Sequence, residues 1–175
     1  MPLATLGKGD PGAHLRPPPD RVREALFSML GSRGAVQNAH VLDLFAGTGA
    51  LGFEALSRGA ARAVFVENGR TGQRLIAENI AKLGAADQVQ VLRGDATRLG
   101  PVPDTPFDLA FLDPPYGKGL GEKALAAVQG WLRPGALIVW EESAQMTAPP
   151  GYTLLDHRKF GTAHITLLEA LAPGA

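Results

Sequence analysis

The sequence contains no cysteine, carries no net charge and has no long apolar run. The absence of cysteine excludes disulfides and thiolate metal sites and suits a reducing cytosol, so we expect a cytoplasmic protein. Lys and Arg total 17, as do Asp and Glu. The resulting pI near 6.9 argues against a general nucleic-acid coat protein, whose pI usually exceeds about 9. No run approaches the ~18 apolar residues of a membrane span and no signal-peptide pattern begins the chain, so we expect a soluble protein with no membrane partner.

A length of 175 residues fits one compact domain with a substantial core. Residues 1–19 are rich in Gly and Pro, including the "RPPP" run that starts at Arg16, and are predicted to be a flexible N-terminal segment. Residues 20–175 are predicted to form a single domain. No second domain for substrate recognition is expected in so short a chain.

A helix is predicted to follow Asp20, which is a favourable N-cap residue. The apolar residues after it recur at helical spacing and form one stripe: Val22, Ala25, Leu26, Met29 and Leu30. Arg21 and Arg23 project off that stripe. Basic residues modestly exceed acidic ones in this part of the chain, which fits either a solvated face or a contact with nucleic acid.

Short apolar runs then alternate with helical segments along the chain. Strands are predicted over 40–46, 61–67, 88–95, 107–113 and 136–142, with helices over 50–58, 72–83 and 120–132. Nearly continuous apolar strands separated by helices indicate a parallel sheet covered on both faces, a Rossmann-like, doubly wound α/β domain. The last third instead favours an antiparallel hairpin, with strands over 152–160 and 163–171 joined at Gly161-Thr162.

Ligands of an open parallel sheet bind beyond the carboxyl ends of its strands. The first strand runs into "DLFAGTGALG", in which Gly47, Gly49 and Gly52 match the G-x-G-x-x-G pattern of nucleotide-type sites. The same glycines could also make only a sharp turn. Glu67 ends the second strand, where a carboxylate can accept hydrogen bonds from ribose hydroxyls.

Acidic residues also end the next two strands. Asp95, followed by the small Ala96, is placed to accept from the exocyclic amine of adenine. With Asp43, Glu67 and Asp113 it forms a series of carboxylates along one edge of the sheet. The series predicts an adenosine-bearing cofactor, which could be NAD or S-adenosylmethionine.

The stretch "DPPY" after the fourth strand distinguishes the two cofactors. A residue before proline is extended, so Asp113 is held with its carboxylate displayed. Neither Pro114 nor Pro115 has an N–H, so the loop presents carbonyl oxygens without competing donors. A carboxylate and a fixed carbonyl suit the two hydrogens of a planar amine, and Tyr116 offers a ring on which a base can stack. The predicted target is therefore the exocyclic amine of a base, and Asp113, Pro114 and Tyr116 are the predicted catalytic residues.

The chemistry implied is a direct methyl transfer. Hydrogen bonds from the amine to Asp113 and the Pro114 carbonyl would turn its lone pair toward a sulfonium methyl group. Alignment of two reactants can supply on the order of 7 kcal/mol of barrier reduction, so no covalent enzyme intermediate is needed. Three alternatives stay open: a DNA adenine-N6 or other nucleic-acid amino-methyltransferase, an NAD-dependent oxidoreductase, and a non-catalytic RNA-binding module.

These segments together resemble class I S-adenosylmethionine-dependent methyltransferases and, within them, the bacterial guanine-N2 methyltransferases of 16S ribosomal RNA. The similar stretches are "DRVREALFSML", "VLDLFAGTGALGFEALSRGA", "VFVEN", "GDA", "FLDPPY" and "FGTAHITLLE", which span most of the chain. "DPPY" alone also occurs in DNA adenine methyltransferases. The sequence departs from the family at Pro18, where a threonine is usual, and in its weakly basic first 15 residues.

The resemblance implies a seven-stranded, mostly parallel sheet with a C-terminal antiparallel hairpin. It implies S-adenosylmethionine as cofactor, with no metal, and the small ribosomal subunit as partner of a monomeric enzyme. The cofactor residues that it implies are Asp43, Phe45, Ala46, Gly47, Gly49, Glu67, Asn68, Asp95, Ala96 and Asp113. The expected RNA contacts are Arg16, Arg21, Arg23 and Lys118.

Overall fold

The computed structural model describes residues 18–103 and 105–173. Residues 1–17, which include Arg16, a predicted RNA contact, and all of the predicted flexible segment 1–19 except Pro18 and Pro19, lie outside the described residues. The helices described are α1 (Asp20–Ser32), α2 (Ala50–Ser57), α3 (Arg70–Leu83) and α4 (Leu120–Ala127), with single 3₁₀ turns at Ala86–Gln88 and Gln129–Trp131. The strands are β1 (His40–Leu44), β2 (Arg62–Glu67), β3 (Val89–Arg93), β4 (Phe107–Leu112), β5 (Leu132–Glu142), β6 (Tyr152–Phe160) and β7 (Ala163–Ala170).

The seven strands form one sheet in the order β3-β2-β1-β4-β5-β7-β6. Strands β1 to β5 are parallel, and β7 runs antiparallel to both β5 and β6. The chain order reverses between β1 and β4, which is the position where open α/β sheets place their ligands. The predicted seven-stranded Rossmann-like sheet with a C-terminal antiparallel hairpin is therefore confirmed.

Apolar residues bury both faces of the sheet. Helices α1, α2 and α3 cover one face, where Phe27 of α1 lies 5.7 Å from Phe111 of β4 between ring centroids. Helix α4 covers the other face and packs its apolar residues around Trp140 of β5. Both faces of the central strands β1, β2 and β4 are therefore buried, so these strands are accessible mainly at their ends, whereas the edge strand β6 is largely exposed along its length.

Three local predictions were wrong. Asp20 is not the N-cap of α1; Pro19 is, and Asp20 lies in the first turn in an ion pair with Arg23. The fourth helix does not reach residue 132, because Leu132 already pairs with Phe107 as the first residue of β5. The predicted stripe of α1 omitted a residue that is almost fully buried, Phe27.

Within the described ranges, the helices are all too short or too polar to cross a lipid bilayer.

Candidate functional site

A cavity of about 750 Å³ opens at the carboxyl edge of the sheet. This volume lies in the range of small-molecule sites, which is about 300–1,000 Å³. It collects loops that follow β1, β2, β3 and β4, together with the end of β5 and the residues before α1. The lining comprises Pro18, Pro19, Asp43, Phe45, Ala46, Gly47, Thr48, Ala50, Leu51, Val66, Glu67, Asn68, Gly69, Gly94, Asp95, Ala96, Asp113, Pro114, Pro115, Tyr116, Leu120 and Glu141.

The loop between β1 and α2 turns sharply at the floor of the cavity. Phe45 has a φ of 56°, and Gly47 and Gly49 have φ values of 60° and 79°, all in the left-handed region. Glycine adopts this region without the steric penalty of a Cβ, which explains the two glycines of the predicted motif. Gly49 is the N-cap of α2 and does not itself line the cavity.

Asp43 lies beneath this loop and is only 3% exposed. Its Oδ2 accepts a hydrogen bond of 3.0 Å from the backbone N–H of Gly52, in the first turn of α2. Burial, the largest cause, and the nearby Glu67 carboxylate together raise the pKa of Asp43 to about 8, although the hydrogen bond from Gly52 opposes the shift. A buried carboxyl with this pKa favours its neutral form until a cation approaches.

Glu67 ends β2 and joins two loops. Its Oε1 accepts from the N–H of Gly47 at 2.8 Å, and its Oε2 accepts from the N–H of Gly69 at 2.9 Å. Each carboxylate oxygen has a second lone-pair direction, so the group retains capacity for two further donors. The side-chain N–H of Gln73 also donates a hydrogen bond of 2.9 Å to the backbone carbonyl oxygen of Glu67.

Asp95 lies two residues beyond the end of β3. Its Oδ1 accepts from the N–H and the hydroxyl of Thr97, at 2.8 and 2.7 Å. These bonds lower the pKa of Asp95, the hydroxyl contributing most, so the carboxylate is charged at neutral pH. Ala96 is buried beside it and Asn68 is exposed at the rim, both in the cavity lining.

The "DPPY" loop forms the opposite wall. Asp113 directly follows β4 and is half-buried, Pro114 is buried, and Pro115 is exposed. The Tyr116 side chain is 47% exposed, so its ring is available as a surface. Burial, and next the negative charge of Glu141, raise the pKa of Asp113 well above its usual value.

Glu141 lines the same wall, and the motifs of the sequence do not include it. The Tyr116 hydroxyl donates a long hydrogen bond of 3.4 Å to its Oε1. Burial and the Glu141 charge raise the pKa of Tyr116 to about 12, so the hydroxyl stays protonated. The signal that could have found Glu141 was present, because "WEE" ends a parallel strand in the way that Glu67 ends β2.

The predicted site residues fall into two groups. All of the predicted catalytic residues and every predicted cofactor residue except Gly49 lie together in the cavity lining. The described RNA-contact candidates Arg21, Arg23 and Lys118 lie outside it. Arg21 and Lys118 are exposed, whereas Arg23 forms ion pairs of 3.0 Å with Asp20 and with Glu54 of α2.

The chain is similar to a family model, to curated proteins and to solved structures over most of its length. A family model described as conserved hypothetical protein 95 matches residues 8–169. Ribosomal RNA small subunit methyltransferase D of Escherichia coli strain K12 is 37% identical over 165 residues, which is 91% of this chain and 82% of the relative. The protein of the same name from Haemophilus influenzae is 35% identical over 162 residues, or 89% of this chain and 83% of the relative. The solved structure of yhhF from Escherichia coli superposes with a TM-score of 0.79 at 36% identity, covering 90% of this chain and 88% of that one.

Proposed function

This chain belongs to the family of ribosomal RNA small subunit methyltransferase D, and from that membership we propose that it is an S-adenosylmethionine-dependent methyltransferase of 16S ribosomal RNA. In this proposal the methyl acceptor is the exocyclic 2-amino group of a guanine. The observation that supports it most is that the "DPPY" loop and the three carboxylates Asp43, Glu67 and Asp95 face one cavity.

The residues present fit S-adenosylmethionine. Its adenosine part requires acceptors for two ribose hydroxyls and for the adenine amine, and its methionine part and sulfonium bring positive charge. Glu67 has free lone-pair directions for the ribose, and Asp95 is ionised for the amine beside the small Ala96. Asp43 lies in β1 beneath the turn where the methionine end would be held, and a cation there would favour its charged form.

The other wall of the cavity fits a planar base. Tyr116 presents its ring for stacking, and stacking of a base on an aromatic side chain contributes about 1–3 kcal/mol. Asp113 and the Pro114 carbonyl are the acceptors for an exocyclic amine. Proline at 114 and 115 removes two backbone N–H groups that would otherwise compete for those acceptors.

These residues act by orienting the amine. S-adenosylmethionine supplies, when bound, an activated methyl group whose bond to sulfur breaks as the bond to the amine nitrogen forms. Asp113 and Pro114 hold the amine so that its lone pair points out of the plane of the base, and Asp113 or water accepts the proton that the nitrogen loses. Alignment of this kind is worth up to about 7–11 kcal/mol, so the chain needs no nucleophile of its own.

The alternatives account for less of the site. An NAD-dependent oxidoreductase would use the glycine turn and Glu67 but leaves Asp113–Tyr116 without a role. A DNA amino-methyltransferase shares "DPPY", yet the relatives of this chain are named for ribosomal RNA. A cytoplasmic location and a monomeric state stay predictions.

The experiment is to incubate small ribosomal subunits that lack the modification with the enzyme and isotopically labelled S-adenosylmethionine. Nuclease digestion and mass spectrometry then identify the methylated nucleotide and the position of the methyl group on its base. We expect one labelled N2-methylguanosine in 16S RNA. Label on adenine, or on no nucleotide of the subunit, would contradict the proposal.

A further inference from the structure

We propose that Glu141 selects guanine by accepting a hydrogen bond from the N1–H group of the base, next to Asp113, which accepts from the 2-amino group. This inference rests on the proposed function and deepens it, because it assigns the choice of base to a residue outside the "DPPY" loop.

The sheet brings the two carboxyl groups together. Strand β4 pairs with β5 in parallel, and Leu112 is opposite Trp140 in the register. Asp113 directly follows Leu112 at the end of β4, and Glu141 directly follows Trp140 in β5, so both reach the carboxyl edge side by side. Both are half-buried and both line the cavity, and their side chains share a hydrogen bond.

Tyr116 contacts the second carboxyl group, that of Glu141, through a long hydrogen bond. Its hydroxyl donates to Glu141 Oε1 at 3.4 Å, so the carboxylate lies at the edge of the ring on which the base is proposed to stack. In the proposed arrangement, an acceptor at that edge meets the base-pairing edge of the stacked base and not its ring face. Flipped bases are read through hydrogen bonds to this edge.

Guanine is the natural base that satisfies two neighbouring acceptors in this arrangement. Its N1–H and its 2-amino group are adjacent donors on the base-pairing edge. Adenine and cytosine carry an exocyclic amine next to a ring nitrogen that is itself an acceptor, which would leave Glu141 facing a lone pair. Leaving a buried acceptor unpaired costs about 1–3 kcal/mol, and opposing lone pairs add repulsion.

Because the carboxyl groups of Asp113 and Glu141 lie close together, we also expect binding of the base to depend on pH. Two carboxylates this close repel each other unless a proton or a donor lies between them, and Tyr116, Asp43 and Glu142 add no positive charge to the surroundings. Burial and the Glu141 charge raise the pKa of Asp113, which favours its protonated form in the absence of base. The two N–H donors of guanine would replace that proton, and kcat/KM for RNA should therefore rise with pH through the raised pKa.

The test replaces the target guanine, once mapped, with 2-aminopurine in subunits reconstituted from ligated RNA. This analogue keeps the 2-amino group but has an unprotonated N1 and no O6, so the N1 contact is measured by the change in preference between wild type and Glu141→Gln. Wild-type enzyme should prefer guanine over 2-aminopurine by roughly tenfold or more in kcat/KM, the cost of one mismatched contact. In Glu141→Gln the side-chain amide can donate to N1 of 2-aminopurine, so the preference should fall by about the same factor.

Two further variants separate this role from a structural one. Glu169→Gln removes a carboxylate from β7 at the opposite end of the sheet, where Glu169 pairs with Leu137, and should keep the wild-type preference. Glu141→Asp keeps the carboxylate and should lose rate while retaining selection for guanine. Binding of S-adenosylhomocysteine, measured by calorimetry, should be the same in all of the variants.

The outcomes test the role of Glu141 separately from the proposed methylation of guanine N2. Wild-type enzyme that makes N2-methylguanosine, together with a Glu141→Gln variant whose preference is unchanged, would overturn the inference and leave the proposed function standing. Wild-type methylation at a position other than N2 of guanine would overturn both. A reduced preference in Glu141→Gln but not in Glu169→Gln supports the inference.

Discussion

The backbone N–H of Gly47 donates a hydrogen bond of 2.8 Å to Oε1 of Glu67, which joins the turn after β1 to the end of β2. The second oxygen of the same carboxylate binds Gly69 in the turn before α3. Glu67 therefore organises two loops of the cavity wall while remaining able to accept from a ligand. Its loss should affect folding and cofactor binding together.

Glu67→Gln should destabilise the protein and weaken cofactor binding. The amide NH₂ group would face one of the two backbone N–H donors, and an unsatisfied buried group costs about 1–3 kcal/mol. Urea unfolding and calorimetry with S-adenosylhomocysteine measure the two effects. The control Glu78→Gln removes only an exposed i,i+4 pair with Arg74 and should change stability by less than about 0.5 kcal/mol. Equal effects of the two substitutions would refute the prediction.

Gly72→Ala should be destabilising although alanine favours helices. A Cβ at Gly72 in α3 would lie 2.7 Å from the Gly47 carbonyl oxygen and 2.8 Å from Glu67 Cγ, so the turn must shift. We expect a loss of about 1–3 kcal/mol, typical of overpacking, and weaker cofactor binding.

The matched control for this substitution is Gly31→Ala in α1. A Cβ there meets nothing within 4 Å. The substitution should stabilise the protein by about 0.5–1 kcal/mol, the usual gain of alanine over glycine in a helix. A Gly72→Ala variant that melts higher than wild type would contradict the close packing described.

Asp43→Asn should become more stable relative to wild type as the pH rises. The pKa of Asp43 is raised from 3.8 to about 8 in the folded protein, so its carboxyl contributes stability that is complete below pH 3.8 and is lost as the pH rises toward 8. Asparagine keeps an acceptor for the Gly52 N–H but does not titrate. The difference in unfolding free energy should change by up to about 1.4 kcal/mol per pH unit in this window. Urea titrations at pH 5 and pH 8 measure it, and a difference that does not depend on pH would refute the raised pKa.

Asp113→Asn should abolish methyl transfer and leave S-adenosylhomocysteine binding within about threefold of wild type, a free-energy change below ~0.7 kcal/mol. The amide presents donors where the amine of the base requires an acceptor, whereas Glu67 and Asp95, the carboxylates proposed to bind the adenosine, are untouched. Single-turnover assays and calorimetry separate chemistry from cofactor binding. Undiminished turnover would remove Asp113 from the proposed mechanism.

Arg21→Ala and Arg23→Ala, on one helix, should differ. Arg21 is exposed, so its loss should weaken RNA binding and lower the slope of log affinity against log salt by about one. Arg23 is held by Asp20 and Glu54, so its loss should chiefly lower stability. Filter binding at several salt concentrations and thermal melts test both, and an unchanged salt slope in Arg21→Ala would exclude that contact.

Much of the site was predictable because the carboxyl ends of parallel strands lie at the same edge of a sheet. Once strands and helices alternate, the residues that follow β1 to β4 must meet at one edge, so Asp43, Glu67, Asp95 and Asp113 could be grouped without knowledge of the strand order. The antiparallel hairpin was equally readable from its two apolar runs around Gly161-Thr162.

The errors arose where tertiary contacts override local pattern. The stretch after α4 contains Pro134 and Gly135, which indicate a turn, yet the structure keeps Leu132 in β5 through a register irregularity opposite Phe107 and Leu109. Glu141 was missed because the acids at the end of the fifth predicted strand were not added to the series that ends the first four. Its significance comes from the strand that lies beside it, and sequence alone did not supply that pairing.

The adjacency of β1 and β4 has a consequence for the evolution of this enzyme. The turn proposed to hold the cofactor and the loop proposed to hold the base follow the neighbouring strands β1 and β4, and neighbouring strands lie about 4.7–4.9 Å apart in any sheet. The spacing between the two ligand sites is thus a property of backbone hydrogen bonding that side-chain substitutions leave unchanged. Substitutions in the loops around the cavity can therefore alter which nucleotide binds. The strand spacing that separates the cofactor from the methyl acceptor stays the same.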